Sequence, residues 1–533
     1  MARKTDHRLP DRVDGGTPPA PGARGWAVGS PDRTFEPVSI TPDDPRYENL
    51  LDAYNHRFVG RPDQVRLVGT TDQVVDAVEE AVSTGRRIAV RSGGHCFENF
   101  ASSPDVRVLL DMSQMGNVYH DASRRAIVVE AGATLGHVYR TLFRRWGVTI
   151  PGGTCFDVGA GGHFVGGGYG HLSRRDGLVV DHLYAVEVVV VDESGHARPV
   201  LATREQGDPH RDLWWAHTGG GGGNFGVVTR YWMRSPGVDS SNPAELLPRA
   251  PVRMCRRTVM WPWSPMTERS FTTLLRNYCT WFAENDDPDS PYASLWSNMP
   301  VTHRSSQMFG MVSVLDGDVP DADALLTAQF DAISAGVGVE PVVNVQEIVP
   351  WMTSWMPSYS WPSDPRGRYK NKAGYLRRCP TDHQLATIYR YLSGTDYTNP
   401  TACVVLTGFG GRVNSVAPDT TATAQRDSVL KASYSAGVWQ EPDEDETHLA
   451  WVREFYRDVY ARTGGVPVPD EVNDGSYIGY PDVDLADPAW NTSEVPWHAL
   501  YYKDNYPRLQ RIKRRYDPLD VFRHGLSVQL PGE

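Results

Sequence analysis

The sequence predicts an α+β protein whose second half is built around a large antiparallel sheet backed by helices. Three observations carry this. Strand-like and helix-like stretches alternate twice before residue 155, and longer ones alternate again from about Asp239 to Asp470. The chain has 533 residues with 40% hydrophobic content, enough for two or three cores.

Residues 1–34 are rich in Pro, Gly, Arg and Asp and read as a disordered tail. Order is expected from Phe35. Val65–Val68 is a strand, and Thr70 or Thr71 caps a helix through Val82 whose Val74, Val75, Val78 and Ala81 share a face, with Gly85 ending it. Arg87–Val90 is a strand running into Arg91-Ser92-Gly93-Gly94-His95. The organisation then repeats: strand Ala126–Glu130, a helix capped by Thr134 and stopped by Gly147, then Pro151-Gly152-Gly153-Thr154-Cys155. Ala185–Asp192 is a strand, and composition changes beyond Pro236. We divide the chain into a first domain at 35–236, a second at 237–470 and a C-terminal segment, 471–533, that returns to the first.

A net charge of -12 excludes nucleic acid as the partner, and the basic run Arg511–Arg515 reads as the solvated face of a helix. No stretch is long and apolar enough to cross a membrane or to act as a secretion signal, so a cytoplasmic monomer or homodimer is expected. Six cysteines without a CxxC argue against a disulfide framework and against a metal site. Sixteen Trp and twenty-four Tyr suit a site that stacks on sugar rings or other flat ligands.

His95 and Cys155 each sit on a glycine loop, and glycine density rises further from Val158 to Gly170. These glycines alternate with Cys, Phe, Val, His and Tyr, which no flexible spacer does. A nucleotide-binding reading of Gly159-Ala160-Gly161-Gly162 with Asp181 fails, because no buried strand leads into it and further glycines interrupt the helix that should follow. A cysteine–histidine hydrolase dyad would leave the glycines unexplained, whereas a long cofactor whose pyrophosphate lies on backbone N–H groups accounts for them.

The strand ending in Arg91-Ser92-Gly93-Gly94-His95, the Gly153-Thr154-Cys155 loop with Val158–His163, Leu213-Trp214-Trp215 with Gly219–Gly226, and the terminal Tyr477-Ile478-Gly479-Tyr480-Pro481-Asp482 together resemble the berberine-bridge-enzyme-like flavoprotein oxidases. The resemblance runs from about Phe58 to the C-terminus. It implies a two-subdomain FAD-binding domain of the vanillyl-alcohol-oxidase type and FAD held by two covalent bonds, His95 to the 8α-methyl and Cys155 to ring carbon 6. Arg91, Ser92, Gly93, Gly94, Gly153, Val158, Gly159, Gly161, Gly162, His163, Gly226, Val228, Tyr502 and Asn505 would complete the cofactor site.

More narrowly, the tail, Tyr169 and the Tyr477 segment look like the hexose oxidases of glycopeptide-antibiotic pathways. This implies oxidation of the primary alcohol of an N-acylaminoglucose through aldehyde to carboxylate, with molecular oxygen reduced to hydrogen peroxide. An oxidase of free oligosaccharides or of another bulky natural product is the alternative, as is a glycopeptide-binding protein; a binder would need neither His95 nor Cys155. Tyr477 is the candidate base, Tyr169 its hydrogen-bond partner and Tyr480 the alternative base, a tyrosine being usable if its pKa is tuned below 10. The family often places Asn where Gly479 stands. Relatives with a small residue at the place of Val158 admit oxygen. Trp351 and Trp355, with Trp361-Pro362, either line a substrate cleft or pack in a core, and Lys372 lies on a strand resembling the one that faces the flavin.

Overall fold

The computed structural model describes residues 35–354 and 367–532. The N-terminal tail, Trp355 and Trp361-Pro362 therefore lie outside the described residues. Three sheets organise the rest. The first has four strands in the order Val38–Ile40, Gln64–Leu67, Val108–Asp111 and Ile88–Arg91, the last three running parallel. Helix Thr71–Ser83 crosses between them, with Thr70 Oγ1 accepting from the Gln73 N–H and Val74, Ala77, Val78 and Ala81 buried. The second sheet is antiparallel: Val118–Asp121, Ala126–Glu130, Val227–Met233, Leu183–Val191 and Ala197–Thr203. Helix Leu135–Trp146 is capped by Thr134 Oγ1 and ended by Gly147 in the left-handed region, as its sequence predicts.

The third sheet has seven antiparallel strands: Val343–Pro350, Arg253–Pro262, Met308–Asp316, Trp296–Thr302, Cys403–Gly408, Leu430–Trp439 and Arg368–Leu376. Helices Glu268–Glu284, Ala322–Ser334, Asp382–Leu392 and Asp445–Val459 back one of its faces. Its other face turns to the loops of the first two sheets.

The C-terminal segment lies against the earlier glycine run. Tyr502 OH donates to the Gly220 carbonyl at 3.0 Å, and Lys513 Nζ donates to the Asn224 carbonyl at 2.8 Å. Lys513 corrects the reading of the basic run: it is fully buried, bonded also to Asp517 and the Phe522 carbonyl, while Arg511, Arg514 and Arg515 face water. Residues 160–165, expected as loop, form a short helix, because their buried Ala160, Phe164 and Val165 pack inward. All six cysteines are free, and no described helix is long and apolar enough to cross a membrane.

Candidate active site

His95 and Cys155 line one cavity of about 460 Å³. His95 stands just beyond strand Ile88–Arg91, its ring stacked on Tyr54 with centroids 4.3 Å apart. The two loops lock backbone on backbone. A Cβ on Gly159 would lie 2.0 Å from Ser92 Oγ and 2.3 Å from the Gly93 nitrogen, so only glycine permits the approach. Ser92 Oγ donates to the Ala131 carbonyl at 2.6 Å, and Arg91 pairs with Asp111 at 2.7 Å. The Cys155 loop is held by His163, whose Nε2 accepts from the Gly153 N–H at 2.9 Å.

That bond requires an uncharged imidazole, which burial enforces. His163 is held down to about 4 by burial and then by the charge of Lys431, while burial also lowers His217 and His524 to about 4. In the unfolded chain each ring binds its proton near 6.5; in the folded protein it does not until about 4. The unfolded state therefore holds more protons between these values, and stability is lost as pH falls from 6.5 to 4, by up to about 3 kcal/mol per ring. The melting temperature is expected to drop between pH 7 and 4.5, and His163→Gln to flatten that drop; equal slopes in variant and wild type would contradict it.

Three tyrosines converge in the same cavity. Tyr169 and Tyr480 share a hydrogen bond between hydroxyls at 3.0 Å, and Tyr477 meets Tyr169 edge-on at 5.6 Å and Tyr480 at 5.1 Å. Gly479 has its own explanation, since a Cβ there would sit 2.5 Å from the Tyr477 ring. The sequence gives no sign of the fourth member, Lys431. Its Nζ lies 3.4 Å from the ring centres of both Tyr169 and Tyr477 and 5.2 Å from that of Tyr480, with no hydrogen-bond partner.

Among the described residues no acid is hydrogen-bonded to these phenols, so of the two routes of tuning open from sequence, an acid and a neighbouring flavin, the acid is absent. Burial pushes Tyr480 up to about 12, opposed by its bond to Tyr169, and raises Tyr477 and Tyr169 further. Burial equally drives the Lys431 ammonium down. An ammonium at Lys431 would lie against the faces of the Tyr169 and Tyr477 rings, where its charge would favour a phenolate.

Arg91, Ser92, Gly93, Gly94, Gly153, Val158, Gly159, Gly161, Gly162, His163, Gly226 and Val228 all line the cavity. Four expected members do not. Tyr502 stands behind the glycine run it bonds, and Asn505 ties the carbonyls of Pro418, Thr421 and Ala422. Trp351 is 1% exposed in the core, which decides between the two readings of it. Lys372 is spent on Asp482 at 2.6 Å and Asp484 at 2.9 Å. It belongs to a buried hub in which Lys370 binds Glu98, three residues past His95, at 2.5 Å and Asp482, two past Tyr480, at 2.7 Å. Arg453 completes it on Asp484. Three further residues face the cavity with buried donors lacking partners: Tyr369 OH and Asn371 Nδ2, on the strand whose sequence resembles the one that faces the flavin, and Trp296 Nε1, unforeseen from sequence.

A cavity of this form, walled at one end by glycine backbone and at the other by phenols, fits a long cofactor with one reactive ring. A Cβ on Gly162 would meet nothing within 4 Å, so its missing side chain adds open space to that wall. The class defined is a flavin-dependent oxidoreductase, and comparison with known proteins agrees. Residues 62–197 match the FAD binding domain model and 476–529 the berberine and berberine-like model. The chain is 51% identical over 525 residues to aclacinomycin-N/aclacinomycin-A oxidase of Streptomyces galilaeus, covering 98% of this chain and 93% of that protein. It matches the structure of CrmK, a flavoenzyme of caerulomycin biosynthesis, at 50% identity and TM-score 0.91, covering 93% of this chain and 100% of that one. The structure of glycopeptide hexose oxidase DBV29 complexed with teicoplanin matches at 50% identity and TM-score 0.88, covering 93% and 99%. The chain belongs to the berberine-bridge-enzyme-like family of FAD-linked oxidases.

Proposed function

We propose that this oxidase acts on an alcohol of a sugar carried by a bulky natural product, with molecular oxygen as the electron acceptor. The observation that carries the reading is the Lys431 cage: a buried amine over two phenol rings, in the cavity that also presents His95 and Cys155. Bound FAD supplies the acceptor for the hydride and passes the electrons to oxygen. His95 and Cys155 would hold it by two covalent bonds, and the Arg91–His95 and Val158–His163 backbones would cradle it.

Tyr477, with Tyr480 the alternative, takes the hydroxyl proton of the substrate, and Lys431 holds the compensating charge against its ring. Tyr169 fixes the Tyr480 hydroxyl through their shared hydrogen bond. Trp296 Nε1, Tyr369 OH and Asn371 Nδ2 are placed to donate to sugar oxygens. The relatives support this class and divide over the scaffold, one being named for aclacinomycin and another for a glycopeptide. Within the class we propose the primary alcohol of an N-acylaminoglucose on a glycopeptide, oxidised through aldehyde to carboxylate; a sugar of an aclacinomycin-like scaffold is the second reading, drawn from the relative named for aclacinomycin at 51% identity.

Purified protein incubated in air with teicoplanin and, separately, with aclacinomycin tests this. Hydrogen peroxide formed with a mass change of the sugar on either scaffold supports the class, and the responsive scaffold selects between readings. Peroxide from neither would overturn it.

Val158 lines the cavity, partly buried, its carbonyl accepting from the Leu135 N–H at 2.9 Å. The extra methylene of Val158→Leu would fill space beside the cofactor, so oxygen consumption is expected to slow by about tenfold or more while substrate reduction of the enzyme, followed without oxygen, is kept. Unchanged oxygen reactivity would remove this role from Val158.

A further inference from the structure

The cavity wall continues outward as one row of side chains across the large sheet. In strand register Lys431 opposes Thr407, Thr407 opposes Asn298, Asn298 opposes Val312, Val312 opposes Thr258, and Thr258 opposes Val345. Directly opposed residues project to the same face, so the row is continuous. Thr407 and Asn298 still line the cavity; Val312 and Thr258 are half-buried beyond it, and Val345 at the edge strand is 50% exposed.

A parallel row ends alike. Met260 opposes Gly310 and Val343, and the Met260 thioether lies over Gly310, where a Cβ would stand 2.4 Å from it. The backing helix covers the opposite face, where Arg257 meets Thr327 and Cys255 meets Asp323. Three of the eight large hydrophobic side chains exposed among the described residues, Met308, Val343 and Val345, fall in register on this face, opposite Pro262, Met260 and Thr258. At about 4.8 Å per strand, five steps from Lys431 to Val345 span roughly 24 Å.

We propose that this outer shelf, formed by Val312, Thr258, Met260, Val343 and Val345, binds the apolar ring system that carries the oxidised sugar. The inference rests on the function proposed above. The occupant follows from continuity: a molecule whose sugar reaches the Lys431 cage has its remaining bulk directed along the same face, where beyond Thr407 and Asn298 the apolar Val312, Met260, Val343 and Val345 surround Thr258. The shelf thus sets affinity for the scaffold and leaves the chemistry to the cage.

The test compares two substrates in wild type and in Val345→Asp, an exposed position that tolerates charge for folding. One substrate is the scaffold-bearing glycoside that wild type oxidises, the other the methyl glycoside of the same sugar. For the scaffold-bearing glycoside, KM is expected to rise about tenfold with kcat unchanged, while the methyl glycoside keeps its KM; Val345→Ile should restore the former. Equal KM changes for both substrates, no change for either, or a change in oligomeric state alone would overturn the shelf while leaving the function standing. Oxidation of neither substrate by wild type would instead overturn the function, and this inference with it.

Discussion

Replacing Lys431 by methionine is expected to lower kcat/KM at neutral pH by about 100-fold, the scale of a general base put out of action. Methionine keeps the volume and the apolar contact with Tyr169 and Tyr477 but removes the amine. The sign of the pH effect follows. On the proposed mechanism, a charge on Lys431 against the Tyr477 ring would let that phenol give up its proton at lower pH than burial alone allows. With methionine, the base is a phenol that burial alone has raised, to about 12 for Tyr480 and higher for Tyr477. The acidic limb of kcat/KM, on which activity rises as the base loses its proton, therefore moves to higher pH by more than one unit, and activity is partly recovered on raising pH. Lys431→Arg, which keeps a cation at the rings, should lie nearer wild type. A uniform loss with an unmoved pH profile would show that Lys431 only packs.

The second large effect concerns the attachment. If His95 and Cys155 carry the two proposed bonds, acid-precipitated wild-type protein is expected to stay yellow, since covalent bonds survive unfolding. His95→Ala and Cys155→Ala should each retain colour through the remaining bond with altered absorption, and the double variant should release essentially all flavin to the supernatant. Removing either bond also frees the ring to shift against the phenols, and a 1 Å misplacement can cost about 100-fold in rate. A colourless wild-type precipitate would exclude covalent attachment, and retained colour in the double variant would place it elsewhere.

What was legible from the sequence was what adjacent residues decide. The Thr70 and Thr134 caps, the Gly147 stop and the glycine loops are written within a few positions of where they act. Tyr169, Tyr477 and Tyr480 were found through motif resemblance, and the structure brings them together in the cavity. Lys431 was not legible. Between Leu430 and Ala432 on an alternating strand it reads as a solvent-facing lysine, and its partners lie 262 residues before it, at Tyr169, and 46 after, at Tyr477. Lys513 misled for the same reason: a basic helix run looks solvated until Asp517 and two carbonyls from other segments are folded onto it. Trp351 and Lys372 show the converse, since aromatic and charged residues attract a binding assignment that burial and ion pairing revoke.

The buried hub of Lys370, Lys372 and Arg453 with Glu98, Asp482 and Asp484 bears on the order of events during synthesis. Its three positive and three negative charges cancel only when all are present, and two of the carboxylates come from the last tenth of the chain. Until residue 484 has emerged from the ribosome, Lys372 has no buried partner and the loop after His95 has no anchor to the tyrosine segment. A chain ending before that point is therefore expected to leave Lys370 and Lys372 buried without two of their carboxylates, and so neither to fold stably nor to take up flavin.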